Sequence, residues 1–280
     1  MRYVEPEPRA AETPLLGGDV TEGLVRRGDT VRRPHGPASA GVERLLRHLA
    51  AQGFDGAPRH LGIDDDGRDV LTFVPGEVAI RPWPAWVADD ERAASVARLV
   101  RRYDDAVAGL GVPGWAHELT PQDPAGQPPR TAGAPELVGH LDVTPENVVF
   151  RDGRAASLID FDLARPATRA EEVSNVLLWW APWMPPGDRE EALRDADPCA
   201  RGALIVDAYG LYAASRSRLV GTSQNIADRS WWSMRHRADT LGGGWRRMWD
   251  EGVGDKILRR QCWLAENADE LHRAVTRPPR

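Results

Sequence analysis

One segment constrains this chain more than any other: GHLDVTPENVVFRDGRAASLIDFDLA, Gly139 to Ala164. It sets His140, Asp142 and Asn147 ahead of two short apolar runs, with Asp160 and Asp162 behind them. The runs NVVF and ASLID flank Asp152-Gly153, a dipeptide suited to the two-residue hairpin turn because both residues tolerate positive φ. With that turn, residues 151 and 154 pair, then 149 and 156, then 147 and 158. Asp160 falls two residues beyond the partner of Asn147, about 6–7 Å along the strand. Asp142 sits just before the first strand, so one end of the hairpin collects Asp142, Asn147 and Asp160.

Those residue types suit one chemistry. An amide oxygen and a carboxylate can share a hard cation whose remaining ligands are phosphate oxygens and water, a preference of Mg²⁺. A carboxylate beside that cation can take the proton of a hydroxyl attacking a phosphate. His140, two residues from Asp142, can hold the loop by hydrogen bonding. Taken singly, each residue is as easily an ordinary polar position. The joint pattern H-x-D-x-x-x-x-N, apolar strand, turn, apolar strand and D-F is far more specific.

That pattern resembles the catalytic core of the aminoglycoside phosphotransferase family, the small-molecule branch of the protein-kinase-like fold. The family's usual form is close to H-G-D-x-x-x-x-N followed by I-D-F or I-D-W. The resemblance implies that Asp142 is the catalytic base, with His140 beside it, and that Asn147 and Asp160 bind magnesium. It implies ATP as phosphoryl donor, with GTP open, and a small-molecule hydroxyl as acceptor. Leu141 replaces the usual Gly, and Asp162 stands where protein kinases have the Gly of D-F-G. Asp162 is either an extra electrostatic element near the metals or a solvated or capping residue.

The remainder of the chain fits an α+β, two-lobed protein-kinase-like fold: a small antiparallel-sheet lobe with one main helix, then a larger, mostly helical lobe. LVRRGDTVRRP reads as two strands around Gly28-Asp29. Residues 39–53 read as a helix with Val42, Leu45, Leu46 and Leu49 on one face, Ser39 as N-cap and Gly53 as stop. APRHLGI and DVLTFV read as further strands, and Pro75-Gly76-Glu77 as the break between lobes. Residues 90–109 read as a helix, 119–135 as loop, and 170–271 as mostly helical. The expected limits are an unordered start over 1–14, a nucleotide-binding lobe over 15–76, a catalytic and acceptor-binding lobe over 77–272, and a loose tail over 273–280.

A kinase-like site needs a cation on the nucleotide phosphates, normally a strand lysine. Lys256 is the only lysine and lies near the other end, so an arginine must serve. V-L-R-x-P in the family is similar to Thr30 to Pro34, which favours Arg32, with Arg33 on the opposite side of the strand. The glutamate partnering that cation is expected on the following helix, where Glu43 is the sole acid, one residue from the family position at Val42. Gly17 and Gly18 suit a loop closing over phosphates. Thr72, Phe73 and Val74 occupy the hinge whose backbone would hold adenine. Glu172 matches an acidic position that braces the catalytic loop in the family.

Acceptor candidates in the helical lobe are Trp179, Trp180, Trp183, Trp231, Trp232, Trp245, Trp249 and Trp263, though most tryptophans at helical spacing pack cores. Asp188, Glu190 and Glu191 could meet a cationic aminoglycoside. A formal net charge of −6 argues against nucleic acid as a partner. No stretch approaches a membrane span, Cys199 and Cys262 make neither a disulfide framework nor a zinc site, and no obligate protein partner is evident, so a cytoplasmic enzyme is expected. Three functions stay open: an aminoglycoside-type antibiotic kinase conferring resistance, a kinase of another metabolite or natural product, and a silent kinase-like binding or immunity protein.

Overall fold

The computed structural model describes residues 11–15, 23–119 and 123–278. Gly17 and Gly18 lie outside those residues. The smaller lobe is an antiparallel sheet of β1 (Glu12–Pro14), β2 (Val25–Arg27), β3 (Thr30–Arg33), β4 (His60–Ile63) and β5 (Asp69–Thr72), in the order β1-β2-β3-β5-β4. Gly28, at φ 60°, turns β2 into β3. One helix, α1 (Ser39–Ala51), accompanies the sheet and buries Val42, Leu45, Leu46 and Leu49, the spacing of a single helical face.

Ser39 is not the cap of α1. Ala38 holds that position without a side-chain bond, while the Ser39 hydroxyl accepts from Gly36 N and donates to Asp69 Oδ2 at 2.5 Å. A buried carboxylate on β5 outcompetes the helix end for that hydroxyl. The stop is as expected: Gly53 takes φ 71°, and Phe54 N returns to Leu49 O at 3.0 Å.

The larger lobe opens with α2 (Asp90–Ala108). It continues through β6 (Leu137–Gly139), the β7 (Val148–Arg151) and β8 (Arg154–Leu158) hairpin, and β9 (Arg165–Ala167), which pairs back with β6. Six helices follow: α3 (Arg169–Trp180), α4 (Pro198–Tyr209), the short α5 (Ala213–Arg216), α6 (Leu219–Thr240), α7 (Gly243–Asp250) and α8 (Val253–Glu266), with α9 (Ala268–Thr276) last. Trp180, Trp183, Tyr103, Tyr209, Phe150 and Phe161 are its largest fully buried side chains. Two segments expected to lie outside the ordered lobes belong to them. Residues 12–14 pair with β2, and α9 runs through Thr276 with Val275 fully buried.

The joint between lobes rests on the catalytic hairpin. Glu77 and Phe150 exchange both backbone hydrogen bonds, at 2.9 and 2.7 Å. A Cβ on Gly76 would lie 2.4 Å from Val149 Cγ1 and 2.5 Å from Phe150 O. Only glycine lets the connecting strand approach β7 so closely.

Candidate active site

The loop from β6 to β7 carries Asp142. Leu141, standing in place of the family glycine, adopts φ 58°. That conformation costs about 1–2 kcal/mol for a side-chain-bearing residue. Leu141 is only 7% exposed, and burying a leucine returns about 1.5–3 kcal/mol. The substitution is therefore tolerated by packing.

Helix α3 holds the loop at three points. Glu172, fully buried, accepts from Leu141 N. Asn175 accepts from Val143 N at 2.7 Å and donates to Leu141 O at 3.0 Å. Trp180 Nε1 donates to Val143 O at 2.9 Å. Gly139 permits this grip, since a Cβ there would lie 2.4 Å from Glu172 Oε2. Burial, then the nearby Asp104, pushes the Glu172 carboxyl well up, with the Leu141 N–H opposing. The bracing role expected of Glu172 matches its contacts; Asn175 was legible only as the residue one turn after it on the same helix face.

His140 is fully buried and stacks edge-on against Phe161, with ring centroids 4.6 Å apart. Burial lowers its pKa from 6.5 to about 4, against the opposing pull of Ile159 O and Asp162. The ring is thus neutral. Asp142 N donates to Nδ1 at 3.3 Å, which leaves the proton on Nε2 to be donated to Ile159 O at 3.0 Å. His140 ties the strand end before Asp160 to the loop carrying Asp142. Its contacts position both.

The hairpin turn is as expected, with Asp152 at φ 50° and Gly153 at φ 72°. The register departs from the expectation. Arg151 pairs with Arg154, but a bulge between Val149 and Phe150 shifts the rest, so Val149 faces Ser157 and Val148 faces Leu158. Ile159 N then donates to Asn147 O at 2.9 Å. Asp160 consequently stands one residue past the partner of Asn147 instead of two. A single inserted residue is invisible in a pattern of alternating side chains.

Asn147 Nδ2 donates to Asp142 O at 3.0 Å and to Asp142 Oδ2 at 2.8 Å. Burial raises Asp142 to about 7, followed by repulsion from Asp160 and Glu146, with Asn147 and Arg165 opposing. Burial raises Asp160 to about 6, followed by Asp162, with Arg33 opposing. Asp160 takes φ 61°, and its buried Oδ1 has no hydrogen-bond partner.

These residues fit a magnesium ion. A buried carboxylate oxygen without a hydrogen bond, 3.9 Å from Arg33, and an amide whose NH₂ is already engaged are the oxygen donors a hard cation takes. Among the described residues no group of three or more His, Cys, Asp or Glu is arranged to hold a metal unaided. Mg²⁺ commonly takes one or two protein oxygens and completes its shell with phosphates and water.

The strand arginine that faces Asp160 and Asp162 is Arg33, whereas Arg32, expected on that side, faces away. Residues paired across a sheet share a face, and Arg33 pairs with Asp69 as Val31 pairs with Leu71. Arg33, Asp69 and Leu71 line a small enclosed space with Ser39, Val42, Glu43, His60 and Asp162. Arg33 grips both oxygens of Asp162 through Nη2 and lies 3.9 Å from Asp160 Oδ1 through Nη1. Arg32 is on the other face, held by Asp64 at 3.3 Å and Thr30 Oγ1 at 2.5 Å. The parity of a four-residue strand follows from which face packs on α1, and two adjacent arginines give no clue to it.

Glu43 pairs with neither arginine. It binds Arg47 at 2.7 Å and lies 3.9 Å from His60. Val42 is in the core, so the helix position expected of the family glutamate is apolar here. Asp162 takes that partner's place from the opposite lobe. At the joint, Thr72 ends β5, Phe73 N donates to Asp29 O at 2.8 Å, and Arg26 covers the Phe73 ring at 3.7 Å. Val74 follows, before the Pro75-Gly76 contact with β7.

Trp180 and Trp183 are core residues. Trp231 packs against Trp232 and Trp249 where α6 meets α7, and Trp245 lies under Arg237. The acids considered for a cationic acceptor are each taken: Asp188 by Arg259, Glu190 by Arg81 at 3.0 Å, and Glu191 by Arg194 at 2.5 Å.

A two-lobed α/β chain with a carboxylate, an amide and a second carboxylate at the mouth of a hairpin is, as a class, a protein-kinase-like phosphotransferase. The chain matches the phosphotransferase enzyme family over residues 115–204. It is 32% identical over 214 residues to a trifolitoxin immunity protein of Rhizobium leguminosarum bv. trifolii, covering 74% of this chain and 77% of that one. The chain belongs to the phosphotransferase enzyme family, whose members act on small molecules.

Solved structures share its fold at low identity. A choline/ethanolamine kinase family protein from Mesorhizobium loti aligns at TM-score 0.59 and 17% identity, over 95% of this chain and 92% of that one. An ethanolamine kinase of Plasmodium vivax aligns at 0.61 and 11%, over 92% and 83%. The gentamicin complex of APH(2'')-IIa aligns at 0.53 and 13%, over 91% and 93%. Among the described residues no helix is long and apolar enough to cross a membrane.

Proposed function

We propose that this chain transfers the γ-phosphoryl group of ATP, with magnesium, to a hydroxyl of a small molecule. The observation that carries this reading is the convergence of Asp142, Asn147 and Asp160, with the Asp160 Oδ1 buried and without a hydrogen bond, 3.9 Å from Arg33. Asn147 and Asp160 would hold magnesium, which supplies charge neutralisation at the β- and γ-phosphates. Arg33, a planar and permanently charged donor, binds phosphate oxygens in the place of the missing lysine. Asp142 accepts the hydroxyl proton as the acceptor oxygen bonds to phosphorus and the bond to the β-phosphate oxygen breaks, releasing ADP. His140, Glu172, Asn175 and Trp180 keep that carboxylate in place.

The nucleotide belongs with residues 15–76 and the acceptor with residues 77–272, in a cytoplasmic enzyme; GTP remains a donor for the same test. Of the acceptors open from the sequence, an aminoglycoside is the less favoured, because the acids meant for its amines are tied to arginines. A metabolite or natural product of other charge fits better. Self-protection by modifying a toxin or antibiotic is the second reading, favoured by the identity to an immunity protein.

The experiment is ADP release by the purified chain with ATP or GTP over an acceptor panel, beside Asp142→Asn. The substitution is expected to lower acceptor-dependent turnover by about 10²–10⁴-fold while nucleotide binding persists. Absence of both acceptor-dependent turnover and magnesium-dependent nucleotide binding removes the enzyme reading.

A further inference from the structure

Arg33 is held at its tip by Asp162, but its other edge is also buried. Nη1 and Nη2 face Asp160 and Asp162, whereas Nε is buried and makes no hydrogen bond. Arg33 is the cross-strand partner of Asp69, so the two side chains are neighbours on the face of the sheet that packs against α1. Asp69 is itself buried and ties down the connection from β3 to α1, accepting from Ser39 Oγ at 2.5 Å and from His35 Nδ1 at 2.9 Å.

His60 stands beside Asp69, its side chain 4% exposed. Its Nε2 lies 3.6 Å from Asp69 Oδ1 and its Nδ1 3.9 Å from Glu43 Oε1, and neither nitrogen makes a hydrogen bond. Both separations are too long for a direct bond, and polar atoms held just beyond that reach are the kind a water joins. Arg33, His60, Asp69 and Val42 line one small space of about 10 Å³. That is the room a single water needs, and the groups around it supply the polar contacts that a buried water makes.

Space-filling alone does not account for this cluster. An apolar ring would fill the position of His60 without burying two nitrogens that lack a hydrogen bond, a costly arrangement. The following helix gives Arg33 no support either, since it presents Val42 there and its Glu43 is engaged by Arg47 at 2.7 Å. When phosphate oxygens take the Nη end of Arg33 in competition with Asp162, the contact that still fixes the guanidinium plane must come from Nε and the residues behind it.

We propose that Asp69 and His60 are positioning residues for Arg33, acting through one ordered water in the space that the three side chains share. The consequence for nucleotide binding rests on the phosphotransferase reading; the water site does not. The water accepts from Arg33 Nε, donates one hydrogen to Asp69 Oδ1 and the other to the lone pair of His60 Nε2, which leaves the His60 proton on Nδ1, towards Glu43. The guanidinium is thereby held in plane by its Nε edge while Nη1 and Nη2 remain free to exchange carboxylate for phosphate oxygens.

The test is a double-substitution cycle on the full chain, read by calorimetric binding of a non-hydrolysable ATP analogue with Mg²⁺, beside adenosine as a probe without phosphates. His60→Phe keeps a ring and removes its nitrogens; Val42→Ile keeps every polar group, fills the space and serves if the phenylalanine variant does not fold. Each is expected to weaken analogue binding about three- to tenfold, the loss of one hydrogen bond, and to leave adenosine within about twofold. In an Arg33→Ala chain the same substitutions should change analogue affinity less than about twofold, because residues acting through a shared partner are not additive. His60→Gln should recover part of the loss seen with phenylalanine. A crystal structure should show one water within hydrogen-bond distance of Arg33 Nε, His60 and Asp69, displaced in Val42→Ile. The proposal is overturned if the folded variants bind the analogue as the parent does, if adenosine weakens equally, if the loss persists undiminished without Arg33, or if no water occupies that space. If the parent binds no nucleotide with magnesium, it is the phosphotransferase reading that falls, and the crystal structures of the parent and Val42→Ile still decide the water site.

Discussion

Replacing His140 with Gln should flatten the acid limb of the stability profile. The imidazole is fully buried, and its pKa is depressed from 6.5 to about 4. A base with a depressed folded-state pKa contributes stability that is present above pH 6.5 and lost as pH falls toward 4, because the unfolded chain takes up the proton first. At about 1.4 kcal/mol per pH unit of difference, the loss is about 3 kcal/mol in full and about 2 kcal/mol between pH 7 and pH 5. Glutamine keeps a donor for Ile159 O and an acceptor for Asp142 N but has no proton to gain. Urea unfolding of both proteins at half-unit steps from pH 7.5 to 4.5 gives the difference between the curves, in which acids common to both cancel. The His140 ring should also stay neutral at pH 5.5 by NMR. Parallel curves from pH 7 to 5, or a ring titrating near 6.5, would refute the buried neutral assignment.

The two strand arginines should separate cleanly. Arg33→Ala is expected to raise the KM for ATP by about 10–100-fold, the loss of a charge-assisted phosphate contact, whereas Arg32→Ala should change it less than about threefold. Asp160→Asn should shift the magnesium dependence of nucleotide binding at least tenfold upward, read by calorimetry at several metal concentrations; unchanged metal dependence would exclude it as a ligand. Leu141→Gly should destabilise the chain by about 1 kcal/mol rather than stabilise it, because the buried side chain contributes more than the positive φ costs. Thermal or urea unfolding reads the sign, and a stabilised variant would mean that backbone strain dominates.

How much could be read in advance depended on how far apart the cooperating residues lie along the chain. Asp142, Asn147 and Asp160 fall within one hairpin, so turn chemistry alone assembles them. The same local reasoning missed the bulge, since an extra residue leaves the apolar pattern intact. It also chose Arg32 over Arg33, because strand parity is decided by packing against α1 and not by the strand itself. Glu43 failed as the ion-pair partner for a related reason: Asp162, 129 residues from Arg33, is nearer in space than the adjoining helix. The lobes and the main helices followed from periodicity, which averages over many residues.

The grip of α3 on the catalytic loop separates two kinds of change that such a chain can accumulate. Glu172, Asn175 and Trp180 hold the catalytic loop from a single helix, and none of those contacts comes from α6 or α7. Substitutions on α6 and α7 can therefore change the surface of the helical lobe without removing a contact that holds that loop. On the proposed phosphotransferase reading, changes of acceptor among related chains should therefore fall outside α3, with Glu172, Asn175 and Trp180 held nearly constant.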